Sequence, residues 1–368
     1  MSSSSLAQRL KRRIEAQGPI TVSEYMLACL GDREAGYYMV QEPFGAKGDF
    51  ITAPEVSQMF GELIGVWCVS QWLAMGKPAA FTLCEMGPGR GTLMKDLLRT
   101  AQQLSPAFIA AAHISMVETS PRLTDIQRQT LAPFKLPVTW TDDFQKLEKQ
   151  PLIMVANELF DALPMRQYVK KQGRFHERVI ALDENGAFIF TASNHSVDAT
   201  VLPSDHQSAP EGAIFEVAPA RDGLMQQISE HIAQFEGSAL LIDYGHLTQG
   251  YGDTLQAMLK HNFDDVFANP GAADITSHVD FFALKNIASQ VGLNSATQTQ
   301  GEFLLNMGLL DRAGQLGRGK SLAEQQQLQA DVERLAAPDQ MGNLFKVLSV
   351  SSACIAPLPY DMPSSAVS

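Results

Sequence analysis

The chain has 368 residues and a formal net charge of −12, with 18% charged and 45% apolar residues. This length is enough for one large domain or two ordinary ones. The acidic balance argues against nonspecific nucleic-acid binding, because such binding depends on Lys and Arg side chains that neutralise phosphates. It is compatible with a cationic substrate. No uninterrupted apolar run reaches the roughly 18 residues of a membrane-spanning helix, so we expect no membrane span.

The four cysteines lie far apart in the sequence, at positions 29, 68, 84 and 354. No pair has the C-x-x-C spacing of a zinc or redox site, so we expect neither a metal nor a redox centre. Three of the cysteines lie in apolar runs, which favours small buried side chains in a protein of a reducing compartment.

The first predicted element is a surface helix within residues 1–18, where Leu6, Leu10 and Ile14 recur every four residues. A Ser-rich start with several Arg residues is also found in transit peptides, but Glu15 favours the helix. Residues 19–35 predict a second helix, and a glycine-punctuated loop follows it.

The next predicted helix is long and begins at Thr52-Ala53-Pro54-Glu55. Pro54 suits the first helical turn because its missing N–H has no partner there in any case. Glu55 suits the same turn because its carboxylate lies at the positive end of the helix dipole.

From residue 81 onward, short apolar runs alternate with stretches of helical periodicity. Such alternation predicts an α/β fold with a parallel sheet and helices on both faces. The predicted strands are 81–85, 113–118, 137–140 and 151–156, and the predicted helices are 91–103 and 121–131.

The pattern changes after residue 165, where several shorter strands follow one another before a helix at 219–235 and a strand at 238–242. Residues 250–340 are interpreted as mostly helical and as a lobe inserted before a final strand at 345–350. The shorter predicted strands are 167–170, 174–180 and 187–190.

A glycine-rich turn joins the first predicted strand to its helix. Glu85 is followed by Gly87, Gly89 and Gly91 at every second position. Glycines allow the backbone to turn sharply and to approach a ligand closely. Thr92 stands where a dinucleotide-binding loop has its third glycine, and Gly-Lys-Ser/Thr is absent. The pattern instead indicates S-adenosylmethionine (SAM), with Glu85 at its methionine end; the alternative is an ordinary glycine-rich turn.

Acidic residues follow the next two predicted strands, at the edge where ligands of open parallel sheets bind. Glu118 lies 27 residues beyond Gly91, about where an acid that binds ribose hydroxyls is expected. Its alternative role is to cap the helix that starts near Ser120. Asp142 or Asp143 could bind the adenine amino group, or could cap a turn.

Asn157-Glu158 follows the fourth predicted strand, and Asp161 comes three residues after Glu158. Residues three apart in a helical turn share a face, so the two carboxylates could form a fork around a guanidinium. We therefore predict Asn157, Glu158 and Asp161 as the catalytic residues that face the methyl acceptor. Alternatively, Glu158 binds the backbone and Asp161 caps a helix.

Longer motifs extend this pattern over most of the chain. They are Ile20 to Glu24, Gly36-Tyr37-Tyr38, Gly48 to Ser57, Phe60 to Leu63, Glu85 to Thr92, Asn157 to Pro164, Asp243-Tyr244-Gly245, Gly252 to Ala257, Ala273 to Phe281 and Met341 to Val347.

In these motifs the chain resembles the MidA family of SAM-dependent methyltransferases, which includes the mitochondrial complex I assembly factor. The resemblance runs in order from about residue 18 to residue 350. It implies a class I methyltransferase fold, Rossmann-like with a mostly parallel sheet, N-terminal helices and an inserted helical lobe. It also implies SAM as the cofactor and, at least for the mitochondrial members, methylation of a protein arginine.

With this resemblance, the sequence predicts three parts. Residues 1–45 form N-terminal helices and a lid, residues 46–250 with 340–356 form the methyltransferase core, and residues 251–339 form the inserted lobe. The turn before the helix at Thr52 is interpreted as the lid over the cofactor, with Gly48, Asp49 and Thr52 in contact with it.

We therefore expect a cytoplasmic bacterial enzyme that methylates arginine in a protein substrate, which could be a subunit of a respiratory complex. One alternative is a methyltransferase for a small molecule or for another side chain. The other is a SAM-binding assembly factor without catalytic activity. The sequence indicates neither the oligomeric state nor the degree of methylation.

Overall fold

The computed structural model describes residues 5–40, 52–353 and 355. The expected cofactor contacts at Gly48 and Asp49, and most of the predicted lid, lie outside these residues. The chain divides into two compact units. The first consists of Met1–Phe50, Phe160–Gly223 and Thr248–His278, and the second of Ile51–Leu159, Leu224–Leu247 and Val279–Ser368.

Several helices begin where the sequence supplies a capping residue. Ser5, Thr21, Thr299 and Ser321 each start a helix with a capping box, in which the side chains of the first residue and of the residue three positions later each accept from the other's main-chain N–H. The helices are α1 Leu6–Gln17, α2 Val22–Gly31, α3 Tyr37–Val40, α4 Ala53–Val56, α5 Gln58–Ala74, α6 Thr92–Leu104, α7 Pro106–Ala111, α8 Pro121–Leu131, α9 Pro219–Phe235, α10 Phe281–Gln290, α11 Gln300–Asn306, α12 Leu309–Gly317, α13 Leu322–Ala336 and α14 Met341–Leu344.

The strands range from two-residue bridges to ten-residue runs. In chain order they are β1 Ile20–Thr21, β2 Phe81–Met86, β3 Ala112–Val117, β4 Val138–Thr141, β5 Leu152–Asn157, β6 Arg166–Lys171, β7 Arg174–Leu182, β8 Phe188–Ser196, β9 Ile214–Val217, β10 Gly237–His246, β11 Gln256–Leu259, β12 Asn262–Asp264, β13 Asp274–Thr276, β14 Val279–Asp280, β15 Asn294–Thr299 and β16 Phe345–Ser351.

The second unit contains a sheet in the order β15-β16-β10-β5-β2-β3-β4, with β14 paired to β10. The pairs from β10 to β4 are all parallel, and β16 runs antiparallel to both of its neighbours. The expected mostly parallel α/β sheet with flanking helices is therefore confirmed. Because parallel strands bring their carboxyl ends to one edge, β2, β3 and β5 present Glu85, Glu118 and Asn157 along that edge.

The core of the second unit explains why its strands read as continuous apolar runs. All six residues of β2 are buried, as expected for a parallel strand covered on both faces. Helices α5 and α6 pack together, and Trp67, Phe60 and Leu97 lie in the buried cluster with residues of β2 and β5.

The first unit is built on antiparallel strands. Its larger sheet has the order β1-β7-β6-β9 with β8 on β7, and its smaller sheet has the order β12-β11-β13. The predicted N-terminal helix is confirmed, since Leu6, Leu10 and Ile14 are buried. They share a core cluster with Tyr25 of α2 and Ile180 of β7.

Two predictions about the elements are wrong. The helix expected from Thr52 breaks after Val56, because Ser57 has an extended backbone and its side chain caps a new helix by accepting from Met59 N. The mostly helical reading of residues 250–340 fails for residues 256–264 and 274–276, which form the small antiparallel sheet, and for β15. Pairing between strands outweighs local propensity there, whether the partner is a neighbour, as for β11 and β12, or distant in the chain, as for β15 and β16.

The predicted division into N-terminal helices with a lid, core and inserted lobe stays a prediction. No helix within the described residues is both long and apolar enough to cross a membrane.

Candidate functional site

The glycine turn after β2 has a backbone that only glycine adopts without strain. Gly87, Gly89 and Gly91 have φ angles of 63°, 52° and 77°. A Cβ atom on Gly87 would lie 2.8 Å from Cδ1 of Leu159, closer than real Cβ contacts allow. The alternating glycines are thus required by the conformation of this turn, which leads directly into α6.

Glu85 is a buried acid with unused hydrogen-bonding capacity. Glu85 is 3% exposed, and its Oε2 has no hydrogen-bond partner among the described residues. Burial raises the pKa of Glu85 to about 8; the hydrogen bond from the Met94 main chain opposes this shift, and the charge of Glu118 adds to it. A buried carboxyl with one oxygen that lacks a partner is suited to receive an ammonium group.

Glu118 follows β3 and is held by two donors. Its Oε1 accepts from Ser120 N at 2.8 Å, and its Oε2 accepts from Gln127 Nε2 at 2.9 Å. Burial raises the pKa of Glu118, while these hydrogen bonds lower it. The carboxylate thus contacts the start of α8, as the capping alternative requires, and its predicted bond to the ribose stays a prediction.

Asp142 and Asp143 are both exposed and both have local partners. Asp142 Oδ1 forms an ion pair with Lys146 Nζ at 2.5 Å, which lowers the pKa of Asp142. Asp143 Oδ1 accepts from Gln145 N at 2.9 Å and caps a short 3-10 turn. These contacts agree with the turn-capping alternative, and the adenine contact stays a prediction.

Asn157 and Glu158 form a hydrogen-bonded pair at the carboxyl end of β5. Asn157 Nδ2 donates to Glu158 Oε1 at 2.9 Å, and Ala53 N donates to the same oxygen at 3.4 Å. Asn157 Oδ1 is buried and has no hydrogen-bond partner among the described residues. Thr52, the predicted cofactor contact, is buried at the start of α4.

Asp161 belongs to the first unit, whereas Glu158 belongs to the second. Burial raises the pKa of Asp161, and the charge of Arg221 opposes the shift. Arg221 is itself buried and donates to the carbonyl oxygens of Asp161, Leu163 and His278. The predicted fork of Glu158 and Asp161 around a guanidinium stays a prediction.

Two residues with clear roles in this geometry were not predicted. Asp243, 1% exposed, accepts from Leu159 N at 3.1 Å and from Tyr244 N at 2.8 Å. The sequence marks it as an acid at a strand end but does not indicate its partner. Gln127 Nε2 donates to Gly89 O as well as to Glu118, and nothing in the sequence of α8 distinguishes this amide.

The chain matches a family profile described as "Putative S-adenosyl-L-methionine-dependent methyltransferase" over residues 63–299. It is 36% identical to the "Protein arginine methyltransferase NDUFAF7, mitochondrial" of Xenopus laevis, over 95% of this chain and 85% of that protein. The human protein of the same name is 33% identical, over 94% of this chain and 83% of that protein.

A solved structure from Burkholderia thailandensis, bound to S-adenosyl-homocysteine, is similar along nearly the whole chain. It has a TM-score of 0.83 and 29% sequence identity, and the similarity covers 95% of this chain and 92% of that chain. A second, native crystal structure from the same organism has a TM-score of 0.81 and 28% identity, over 96% of this chain and 93% of that chain.

Proposed function

The chain belongs to this S-adenosyl-L-methionine-dependent methyltransferase family, and we propose that it transfers the methyl group of SAM to an arginine side chain of a protein. SAM is the cofactor of the family, and the described residues fit it. Glu85 offers a buried carboxyl oxygen without a partner, and the glycine turn offers left-handed backbone whose glycines carry no side chains of their own.

The observation that carries the proposal is the pair formed by Asn157 and Glu158. The pair lies at the carboxyl end of β5, the strand next to β2, which carries Glu85. Its amide oxygen and carboxylate are acceptors, so the pair is complementary to the N–H groups of a guanidinium. The curated relatives described above are named protein arginine methyltransferases, which supports the same substrate class.

When bound, SAM supplies a methyl group already activated by its sulfonium, so the protein mainly positions the acceptor and takes its proton. Glu85 binds the ammonium of the methionine end, and Glu118 orients the ribose. Asn157 Oδ1 accepts one N–H of the guanidinium. Because a guanidinium has a pKa above roughly 12, it loses a proton only as transfer proceeds, and the Glu158 carboxylate receives it.

We also propose a class of protein substrate and a cellular location. The substrate is a protein that presents an exposed arginine, and a subunit of a respiratory complex is the first candidate, because the resemblance includes the complex I assembly factor. We place the protein in the bacterial cytoplasm. The net charge of −12 favours a substrate with a basic surface around the arginine.

The test is a transfer assay with radiolabelled SAM and extract from cells that lack this protein, followed by mass spectrometry of the labelled peptides. We expect label on arginine with the wild-type chain and none with Gly87→Val, the matched negative control. Label on lysine or in the small-molecule fraction would contradict arginine specificity. No label at all, with respiratory assembly restored by both chains, would indicate a non-catalytic assembly factor.

A further inference from the structure

Glu158 has a backbone conformation that residues with side chains rarely adopt. Its φ is +52°, in the left-handed region, where the Cβ atom crowds the following carbonyl oxygen. Such a conformation persists only where the surrounding structure holds it, and strained positions of this kind cluster at functional sites. Contacts around Glu158 must therefore hold its main chain in this conformation.

Two hydrogen bonds from β10 hold the main chain around Glu158. Glu158 N donates to Ile242 O at 2.9 Å, and Leu159 N donates to Asp243 Oδ2 at 3.1 Å. The first bond continues the parallel pairing of β5 with β10, in which Ile242 faces Asn157. The second is made by a side chain, because the main-chain pairing of β5 ends at this point.

Asp243 is well suited to this contact because both of its carboxylate oxygens are used. Oδ2 accepts from Leu159 N, and Oδ1 accepts from Tyr244 N at 2.8 Å. The side chain is buried, so its orientation is fixed by these donors and by the packing of β10. An Asn side chain would replace one of these two oxygens with an NH₂ group, which cannot accept from the main-chain N–H that faces it.

The position of the Glu158 main chain determines where its carboxylate lies. Oε1 accepts from Asn157 Nδ2 at 2.9 Å, which leaves the Asn157 amide oxygen as the atom able to accept from another group. That oxygen has no hydrogen-bond partner among the described residues. The bond between Asp243 and Leu159 therefore holds the main chain next to Glu158, whose carboxylate is paired with the Asn157 amide.

We propose that Asp243 is a positioning residue for methyl transfer, which acts through the Leu159 main chain to hold Glu158 and Asn157 in their reactive arrangement. This inference rests on the proposed function, because it takes Glu158 as the group that faces the acceptor. Asp243 itself does not contact substrate or cofactor in this proposal.

The test is a double-mutant cycle on kcat with Asp243→Asn, Glu158→Gln and the double variant, each under saturating SAM. We expect Asp243→Asn to lower kcat about ten- to hundredfold, because small misplacements of reacting groups have effects of this size. In the Glu158→Gln background the same substitution should change kcat by less than about twofold, because the group it positions is already disabled.

Asp183→Asn is the matched control, since Asp183 Oδ1 also accepts from two main-chain N–H groups, those of Asn185 and Ala187, in an exposed turn. It should leave kcat unchanged. Losses that multiply in the double variant would show a general structural role for Asp243 and overturn the inference. An unchanged kcat for Asp243→Asn would overturn it as well.

If the proposed function itself is wrong, the double-mutant cycle gives a different result. In that case Glu158→Gln alone leaves kcat unchanged. The cycle then contains no loss at Glu158 to which the effect of Asp243→Asn could be coupled. If Asp243→Asn does not fold, as judged by circular dichroism, the same cycle is run with Asp243→Ser, which removes the carboxylate without placing an amide N–H₂ against the two donors. The same two outcomes then decide the inference.

Discussion

Gln127 Nε2 donates a hydrogen bond to Glu118 Oε2 at 2.9 Å. The same nitrogen donates to Gly89 O, also at 2.9 Å, and Trp140 Nε1 donates to Gln127 Oε1 at 3.0 Å. One buried amide therefore connects the acid after β3 with the glycine turn after β2. Any group bound by both the turn and Glu118 meets a pre-oriented carboxylate, which reduces the entropy lost on binding.

We predict that Glu118→Ala weakens SAM binding about ten- to hundredfold. A charge-assisted hydrogen bond to the ribose hydroxyls is worth about 1.5–3 kcal/mol, and this corresponds to such a factor. Isothermal titration calorimetry with SAM and with S-adenosylhomocysteine measures the loss. The discriminating ligand is a dideoxyribose analogue of S-adenosylhomocysteine, which should bind wild type and variant equally. An equal loss for this analogue would mean that Glu118 only caps α8.

We predict that Gly87→Val abolishes SAM binding and leaves the fold intact. The substitution places a branched side chain at a φ of +63°, and its Cβ would lie 2.8 Å from Leu159 Cδ1. Gly186→Val is the matched control, because Gly186 has a φ of +74° with nothing within 4 Å of an added Cβ. It reproduces the backbone strain without the neighbour. Calorimetry and circular dichroism should show lost binding in the first variant alone; equal affinities would refute the assignment of the turn.

We predict a pH-dependent stability difference between wild type and Glu85→Gln in the absence of SAM. Burial raises the pKa of Glu85 from 4.5 to about 8, so between these values the folded chain holds a proton that the unfolded chain has lost. The contribution of Glu85 is fully present below about pH 4.5 and is lost as the pH rises through 8. The wild type should therefore lose up to about 1.4 kcal/mol per pH unit relative to the variant.

Urea unfolding of both chains between pH 5 and about pH 8.5 measures this difference. A constant difference over that range would show that Glu85 is already charged in the folded protein. SAM should reverse the protonation, because its ammonium favours the carboxylate. Calorimetry at pH 7 in buffers of different ionisation enthalpy should therefore detect proton release on binding to wild type and not to Glu85→Gln.

We predict that Glu158→Gln lowers methyl transfer by about 10²-fold or more, the usual scale for a positioned acid or base. SAM affinity should stay within a few-fold, because glutamine keeps the shape and can still accept from Asn157 Nδ2. Glu148→Gln is the control, since Glu148 is exposed and its carboxylate pairs with His113 Nδ1 at 2.7 Å on the surface. A Glu158→Gln chain with normal transfer would exclude the carboxylate as proton acceptor, and one unable to bind SAM would place Glu158 at the cofactor.

Much of the second unit could be predicted because its elements depend on local patterns. The sequence predicts helices at 121–131 and 219–235, and α8 and α9 have these bounds. The glycine turn could also be predicted, since a left-handed backbone favours glycine whatever packs around it. The SAM cofactor predicted from Glu85 and these glycines is confirmed.

The elements that were missed are short and depend on pairing. β11 and β13 have four and three residues, and neither is long enough for a clear alternation of apolar and polar residues. They are strands because they pair with each other through Ala257 and Ile275, both of which are buried. Helices α10 to α13 follow this stretch, and the predicted inserted lobe stays a prediction.

The sequence alone thus determined the SAM cofactor, the glycine turn after β2 and the alternation of strands and helices in the second unit, because each depends on residues close together in the chain. It could not assign partners to Asp243 and Gln127, which act on Leu159 and Gly89, 84 and 38 residues away. A side-chain hydrogen bond of this kind requires correct distance and direction within a few tenths of an ångström. That precision arises only when β2, β5 and β10 pair and α8 packs beside them.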